Sequence, residues 1–340
     1  MTEQTDRQLR PRHLGIGIGA ALIVGIALVT GIGRAAGFSD VRRAITGAHF
    51  GWLAVCVVGQ FIVFAGYAGA LRHAIASEHG PRIPTGVSVQ LVFASFAATQ
   101  LFAFGGAGGL AIVYWALRRV GLTRDAAAVR LIGLHTAVYL VFGTIAWCAA
   151  GWALATDAAP AAMTVPWLIG FPALLAAATW FTSPNRVERW TAPAVGTARR
   201  GLATGVDAAW WVRRSLGSRQ GRPLFVWAVL YWFGDITSLW FALQAFGAET
   251  RLTALVVAYT SGYLVQSLPI PLIATGGVDA ATTFLLHATG MPLELALVGV
   301  SAHRVFAFWL PVIPGTMLAL TLPRIGRCLA AASDNAPARR

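Results

Sequence analysis

The chain has 340 residues, 57% of them hydrophobic and 11% charged, with 13 Trp, 18 Phe and a formal net charge of +13. That profile excludes a soluble globular fold and fits a chain dissolved largely in lipid. The positive balance does not indicate nucleic acid, and none is expected as a partner, because membrane proteins sort basic residues by side of the bilayer. All 26 basic residues are Arg, a bias of composition from which no function is read. Cys56, Cys148 and Cys328 lie far apart, so no disulfide framework, metal site or cofactor is expected.

Crossing roughly 30 Å of hydrocarbon takes about 20 helical residues. Apolar runs of that order fall near 14–33, 52–75, 87–104, 131–154, 166–182, 223–247, 253–269 and 294–321. Two shorter runs, 107–117 and 278–289, each follow glycines and read as half-helices of the re-entrant type. The first run follows Arg7, Arg10 and Arg12 without a small-residue cleavage site, so it is expected to be a retained helix. The expected fold is an all-α, polytopic membrane bundle of about eight full spans plus two half-helices, forming a single transmembrane domain over 1–340.

Arginine placement orients it. With the N-terminus inside, segments 1–13, 72–86, 118–130, 183–222 and 322–340 hold 21 Arg, against four outside (Arg34, Arg42, Arg43 and Arg251). Basic residues in short loops stay cytoplasmic, so both termini are expected in the cytoplasm. The long polar stretch 183–222 mixes arginines with Trp190, Trp210 and Trp211. It reads either as an interfacial helix among anionic headgroups or as a solvated connector.

"FGGAGGLAIVYWALRRVGLTRDAAAVRLIGLHTAVYLVFG" from Phe104 and "TGGVDAATTFLLHATGMPLELALVGVSAHRVFAFWLPVIPG" from Thr275 share an order of features. A glycine pair opens a short apolar helix, a glycine breaks it (Gly121, Gly290), an acidic residue follows, and a long helix carries a histidine (His135, His303). Gly105 and Gly276 are 171 residues apart, and the spans starting at 52 and 224 are 172 apart. A steady offset argues for duplication, with repeats at 52–154 and 223–321. On the arginine-derived topology the two copies are inverted, a plan that in secondary transporters brings broken helices together near the midplane.

The C-terminal stretch "LVQSLPIP", followed by the glycines, the acidic residue, the breaking glycine and "HRVFAFWLPVIPG", resembles the signature of the lysylphosphatidylglycerol synthase transmembrane-domain family. "GGAGGLAIVYWALRRVGLTRDAAA" resembles that family's first-half motif. The resemblance runs from about residue 45 to 325. It implies a multi-pass protein of the bacterial inner membrane, whose best-known relatives move aminoacylated phospholipid between leaflets and carry a soluble synthase domain after the membrane domain. Only 322–340 follow the last expected span, so no aminoacyl transfer is expected. The sequence departs from the pattern at Leu272 and Ile273, where a glycine pair is usual, and at Asp279, where many members carry Glu.

An ionisable residue inside a span costs several kcal/mol unless paired or wetted. Asp235, Asp279, His303 and Arg304 are such residues. Arg304 is expected to meet Asp279, Asp235 or both between the halves. Asp279 is tolerable because Gly276 and Gly277 open a helix start whose N–H groups and dipole favour an anion. The pair either ties two broken helices together or serves a substrate site. In the first half Gly105, Gly106, Gly108 and Gly109 open a helix with no carboxylate, a seat for a phosphate to which His135 could add a donor, or else a surface for close helix packing. Gln60, Gln90, Gln100 and Gln266 read as interhelical glue, and His287 as a lone titratable group.

The expected function is therefore a flippase-like carrier of a phospholipid or prenyl-linked intermediate, not an enzyme. Two alternatives stand beside it. One is a membrane-embedded transferase using Asp40 as base or metal ligand, and the other a non-catalytic scaffold for a partner synthase.

Overall fold

The structure is a computed structural model that describes residues 38–77, 80–101, 107–191, 197–267, 276–319 and 321–334. The expected span at 14–33 and the glycines Gly105 and Gly106 lie outside the described residues, as do the side chains of Asp40, Gln100, Trp190 and Gln266.

The described chain is all α-helical. A short helix α1 (Phe38–Thr46) leads into α2 (Phe50–Ala76), α3 (Thr85–Leu101), α4 (Ala107–Arg119), α5 (Arg124–Ala155) and α6 (Ala161–Phe181). Two helices without a long apolar run follow, α7 (Pro184–Thr191) and α8 (Thr197–Gly217). The chain then re-enters apolar sequence as α9 (Arg222–Ala245), α10 (Leu252–Tyr263), α11 (Gly277–Ala288) and α12 (Leu293–Ala319), and ends in α13 (Leu322–Asp334). Helices α2, α5, α6, α9 and α12 are long and apolar enough to cross a membrane, which makes this a multi-pass membrane protein. The run at 253–269 forms a shorter helix than expected. At about 1.5 Å per residue, the 12 residues of α10 reach roughly 18 Å, and the polar Gln266 and Ser267 fall in a 3₁₀ turn over Leu264–Ser267.

Helix ends follow local chemistry. The Thr123 hydroxyl accepts the Ala126 N–H at 3.3 Å to start α5, with Asp125 in its first turn. The two short helices stop in the same way. Gly121 (φ 86°) and Gly290 (φ 98°) occupy the left-handed region that glycine enters without a Cβ penalty. Leu122 N–H then bonds to Leu117 O at 3.3 Å, and Met291 N–H to Leu286 O at 3.3 Å. Prolines 166 and 172 lie inside α6, and 311 and 314 inside α12, each removing one backbone donor from its helix.

The centre of the bundle is the crossing of α2 and α9. A Cβ on Gly59 would lie 2.8 Å from Gly234 O, and one on Gly66 would lie 2.5 Å from Tyr231 N. One on Gly69 would strike the Trp227 ring at 2.1 Å. Advancing along α2 thus means retreating along α9, so the helices run antiparallel with backbones in contact, the kind of packing that drives helix association in lipid. Around them α3 lies against α12, α10 against α5, α4 between α3 and α5, and α11 between α10 and α12. Helix α6 sits at the edge, held by Phe171 against Gly143 and by Trp167 Nε1 donating to Ser261 Oγ at 2.9 Å.

The segment 183–222 differs from a helix lying free among headgroups. Trp211 is 2% exposed and fills the space left by Gly133, where a Cβ would approach its ring to 2.4 Å. The Arg130 guanidinium stands 5.6 Å over that ring and donates to Ala74 O at 2.6 Å and Ser77 Oγ at 2.8 Å. One arginine therefore closes the end of α2 and docks α8 at once. Only the flanking cations keep the interfacial character, with Arg186 3.7 Å over Trp180 and Arg213 5.8 Å from Trp210.

Candidate functional site

Polar residues from five helices meet at one partly open cavity of about 90 Å³. Helix α2 supplies Gln60, α9 supplies Tyr231 and Asp235, α10 supplies Tyr259 and Tyr263, α11 supplies Asp279 and Thr282, and α12 supplies His303 and Arg304. Apolar wall comes from Val63, Phe96 and Val300.

Its chemistry falls into two charge clusters. Arg304 Nε donates to Asp279 Oδ2 at 2.6 Å, a short charge-assisted bond. Asp279 sits in the first turn of α11, beside the dipole end and N–H groups that favour an anion. Gly276 caps that helix and Gly277 opens it, so both glycines frame the carboxylate. Both partners of the pair keep part of their side chains accessible, 30% for Arg304 and 28% for Asp279. Among the described residues Asp279 is the one hydrogen-bond partner of Arg304.

Asp235 goes to the other cluster. It is 8% exposed, and its nearest basic group is His303, whose Nε2 lies 3.5 Å from Oδ1. Gln60 Nε2 donates to Oδ1 at 3.3 Å, and the Tyr259 hydroxyl donates to Oδ2. A layer behind it is built on Ser238, which receives Gln60 Nε2 at 2.9 Å and meets His303 Nδ1 at 3.2 Å. Its hydroxyl in turn donates to Cys56 O at 3.0 Å. The Cys56 thiol is also 3.0 Å away. Every polar group around Asp235 thus has a partner, as burial in a low-dielectric site requires. The exception nearby is Thr282. It is 2% exposed, and its hydroxyl has no hydrogen-bond partner among the described residues. Gly262 allows its close approach, since a Cβ there would meet Thr282 Oγ1 at 2.4 Å.

Of the residues singled out from sequence, Asp235, Asp279, His303 and Arg304 share this cavity, with Gly276 and Gly277 at its edge. Arg304 takes Asp279 and leaves Asp235 to His303. Among the described residues, Gly108, Gly109 and His135 do not line the cavity. Gly109 serves packing, since a Cβ there would lie 2.1 Å from Thr99 Oγ1 and 2.7 Å from Ser95 O. Gly108 stands beside it in the first turn of α4. His135 bonds to the Tyr67 hydroxyl at 3.3 Å and to Leu131 O at 2.9 Å, and His287 to Met291 O at 2.8 Å. Gln60 was expected only as glue, yet it both joins α2 to α9 and lines the cavity. Tyr231, Tyr259, Tyr263, Ser238 and Thr282 were not anticipated. The i, i+4 spacing of Tyr259 and Tyr263, which puts both on one helix face, was the available signal.

A family model described as "Lysylphosphatidylglycerol synthase TM region" matches residues 16–315. No curated protein matches the chain.

Proposed function

We propose a transport function from one premise: the chain belongs to the lysylphosphatidylglycerol synthase TM-region family. On our reading it is a flippase-like carrier, not an enzyme, that moves a phospholipid or lipid-linked intermediate between the leaflets of the bacterial inner membrane, with both termini in the cytoplasm.

The observation that carries the reading is the Asp279–Arg304 pair in a cavity walled by α2 and α3 on one side and α9 to α12 on the other. Intramembrane ionisable residues facing a bundle interior mark substrate paths, and an arginine with part of its surface accessible offers a fork suited to phosphate. Inverted repeats over 52–154 and 223–321 are part of the proposal. They are supported by the antiparallel α2–α9 crossing, by the matched pairings of α3 with α12 and α10 with α5, and by the identical caps at Gly121 and Gly290.

Cavity size adds a step. Drug-sized ligands fill pockets of about 300–1,000 Å³, so 90 Å³ admits part of a headgroup and no tail. On this reading the site widens during transport, which proceeds by rocking one repeat against the other about the polar site. Reconstitution into vesicles with labelled lipids tests the reading. Protein-dependent movement between leaflets is expected for at least one phosphate-bearing lipid, and its absence across a broad panel would overturn it.

A further inference from the structure

We propose that the Asp235–His303 pair is a proton-binding site, and that an anionic lipid phosphate engaging Arg304 brings one additional proton onto it. The inference rests on the carrier reading above and names its coupling.

Ser238 decides which imidazole nitrogen carries hydrogen. Its Oγ donates to Cys56 O at 3.0 Å and accepts from Gln60 Nε2 at 2.9 Å. With its single hydrogen used, the hydroxyl meets His303 Nδ1 at 3.2 Å as an acceptor, so the network assigns a hydrogen to Nδ1. In a neutral ring Nε2 is then a bare lone pair, and it faces Asp235 Oδ1 at 3.5 Å. Lone pair against carboxylate is repulsive. One proton between them, on Oδ1 or on Nε2, removes the repulsion, and in either place the pair as a whole is neutral. Asp279 and Arg304 form a second neutral pair. The cavity is balanced in the described state.

The groups that face this pair come from five elements. They are the Cys56 thiol on α2, the Tyr231 hydroxyl on α9, those of Tyr259 and Tyr263 on α10, the Asp279 carboxylate on α11 and the Arg304 guanidinium on α12. Helix α3 contributes Phe96. Arg304 can neutralise one anion. When a phosphate joins Asp279 beside it, one negative charge is left over in a site of low dielectric, where an uncompensated ion costs several kcal/mol. A second proton on the pair cancels it. Asp235 is then a carboxylic acid and His303 an imidazolium that donates to Asp235 and Ser238. When the phosphate leaves, the extra proton is the uncompensated charge and leaves too. The anionic lipid therefore moves with one proton and no net charge. A zwitterionic headgroup brings no net charge and takes no proton.

Titration calorimetry of the purified full chain with short-chain phosphatidylglycerol, at one pH in two buffers of different ionisation enthalpy, counts protons taken up per lipid bound. We expect uptake approaching one, and an affinity that weakens by up to about tenfold per pH unit as pH rises. Phosphatidylethanolamine should show uptake near zero. His303→Gln, which removes the imidazole that takes the extra charge, should bind phosphatidylglycerol with an affinity that no longer depends on pH, whereas Asp235→Asn, which stands in for the protonated acid, should keep proton uptake on His303. Binding without proton uptake and with flat affinity between about pH 5.5 and 8.5 would overturn the coupling, as would uptake that persists in His303→Gln. If neither lipid binds, the carrier reading itself falls and takes the coupling with it, an outcome distinct from binding without protons.

Discussion

The two short helices α4 and α11 end in the same left-handed glycine with the same capping bonds, yet only α11 carries charge into the cavity. Both are clamped to the preceding helix by a glycine, but from opposite sides. On the α3–α4 interface the glycine is Gly109 of the short helix, and on the α10–α11 interface it is Gly262 of the preceding one. The histidines diverge likewise. His135 is held by Tyr67 and its own helix, with the exposed Thr136 next to it, while His303 joins Asp235 and is followed by Arg304. The frame is common to both regions and the chemistry sits in one. A scaffold of glycine contacts is indifferent to polar groups, so one region can hold a charged site while the described part of the other serves packing.

The largest test of that division is charge removal at matched positions. Arg304→Ala leaves the Asp279 carboxylate without its cation, and breaking a buried pair costs about 3–5 kcal/mol. Partial access of both side chains puts the expected loss at the low end, about 3 kcal/mol in detergent unfolding, together with loss of lipid translocation. Exchanging the two residues, Asp279→Arg with Arg304→Asp, should restore part of both. Thr136→Ala, in the equivalent place after His135, should change stability by less than about 0.5 kcal/mol. Equal effects at 136 and 304 would erase the contrast between the halves.

The next effect concerns the shared frame. Gly66 lies against backbone atoms of α9, where an added methyl would stand 2.5 Å from Tyr231 N. Backbone cannot swing aside as a side-chain tip can, so Gly66→Ala should cost about 1–3 kcal/mol. Gly234→Ala, 2.7 Å from Gly59 O, should cost about the same. Thermal unfolding of each purified variant measures it, and a tolerated methyl at both would mean that α2 and α9 do not meet as described.

Much of this was readable before any coordinates. Hydropathy located the long helices, and the breaking glycines at 121 and 290 were correctly seen as stops, because a backbone that must turn left-handed leaves a residue-level mark. The acidic, basic and imidazole groups of the cavity were legible for a similar reason: charge in hydrocarbon is conspicuous. Pairing was not. Whether Arg304 meets Asp235 or Asp279 depends on how α9, α11 and α12 rotate about their axes, which periodicity does not determine when helices are apolar all round. The same limit hid Tyr259, Ser238 and Thr282, whose residue types are common in membrane helices. It also hid Trp211, whose burial depends on the space that Gly133 leaves on a distant helix.

Helix caps should give a smaller and symmetrical effect. Gly121→Ala and Gly290→Ala each place a Cβ on a residue with positive φ, at a cost of about 1–2 kcal/mol. At Gly290 nothing lies within 4 Å of the new methyl, so strain alone sets the penalty there. The two variants should lose equal stability by the same melting assay. A marked inequality would mean that the two caps, alike in backbone, are not alike in tension.

The smallest effect should have the opposite sign. Gly170 lies in α6 with nothing within 4 Å of its missing methyl, and it is exposed on a helix that only borders the bundle. Alanine there meets no neighbour, narrows the unfolded chain's conformational freedom and improves helix propensity by up to about 1 kcal/mol. Gly170→Ala should therefore raise the melting temperature slightly and leave translocation unchanged, where the same substitution at Gly66 lowers both. Among the described residues a glycine is costly to replace where another backbone or a packed ring lies against it, or where the chain turns left-handed. If Gly170→Ala were as damaging as Gly66→Ala, α6 would have to pack against something beyond the helices described, and its place at the edge of the bundle would need revision.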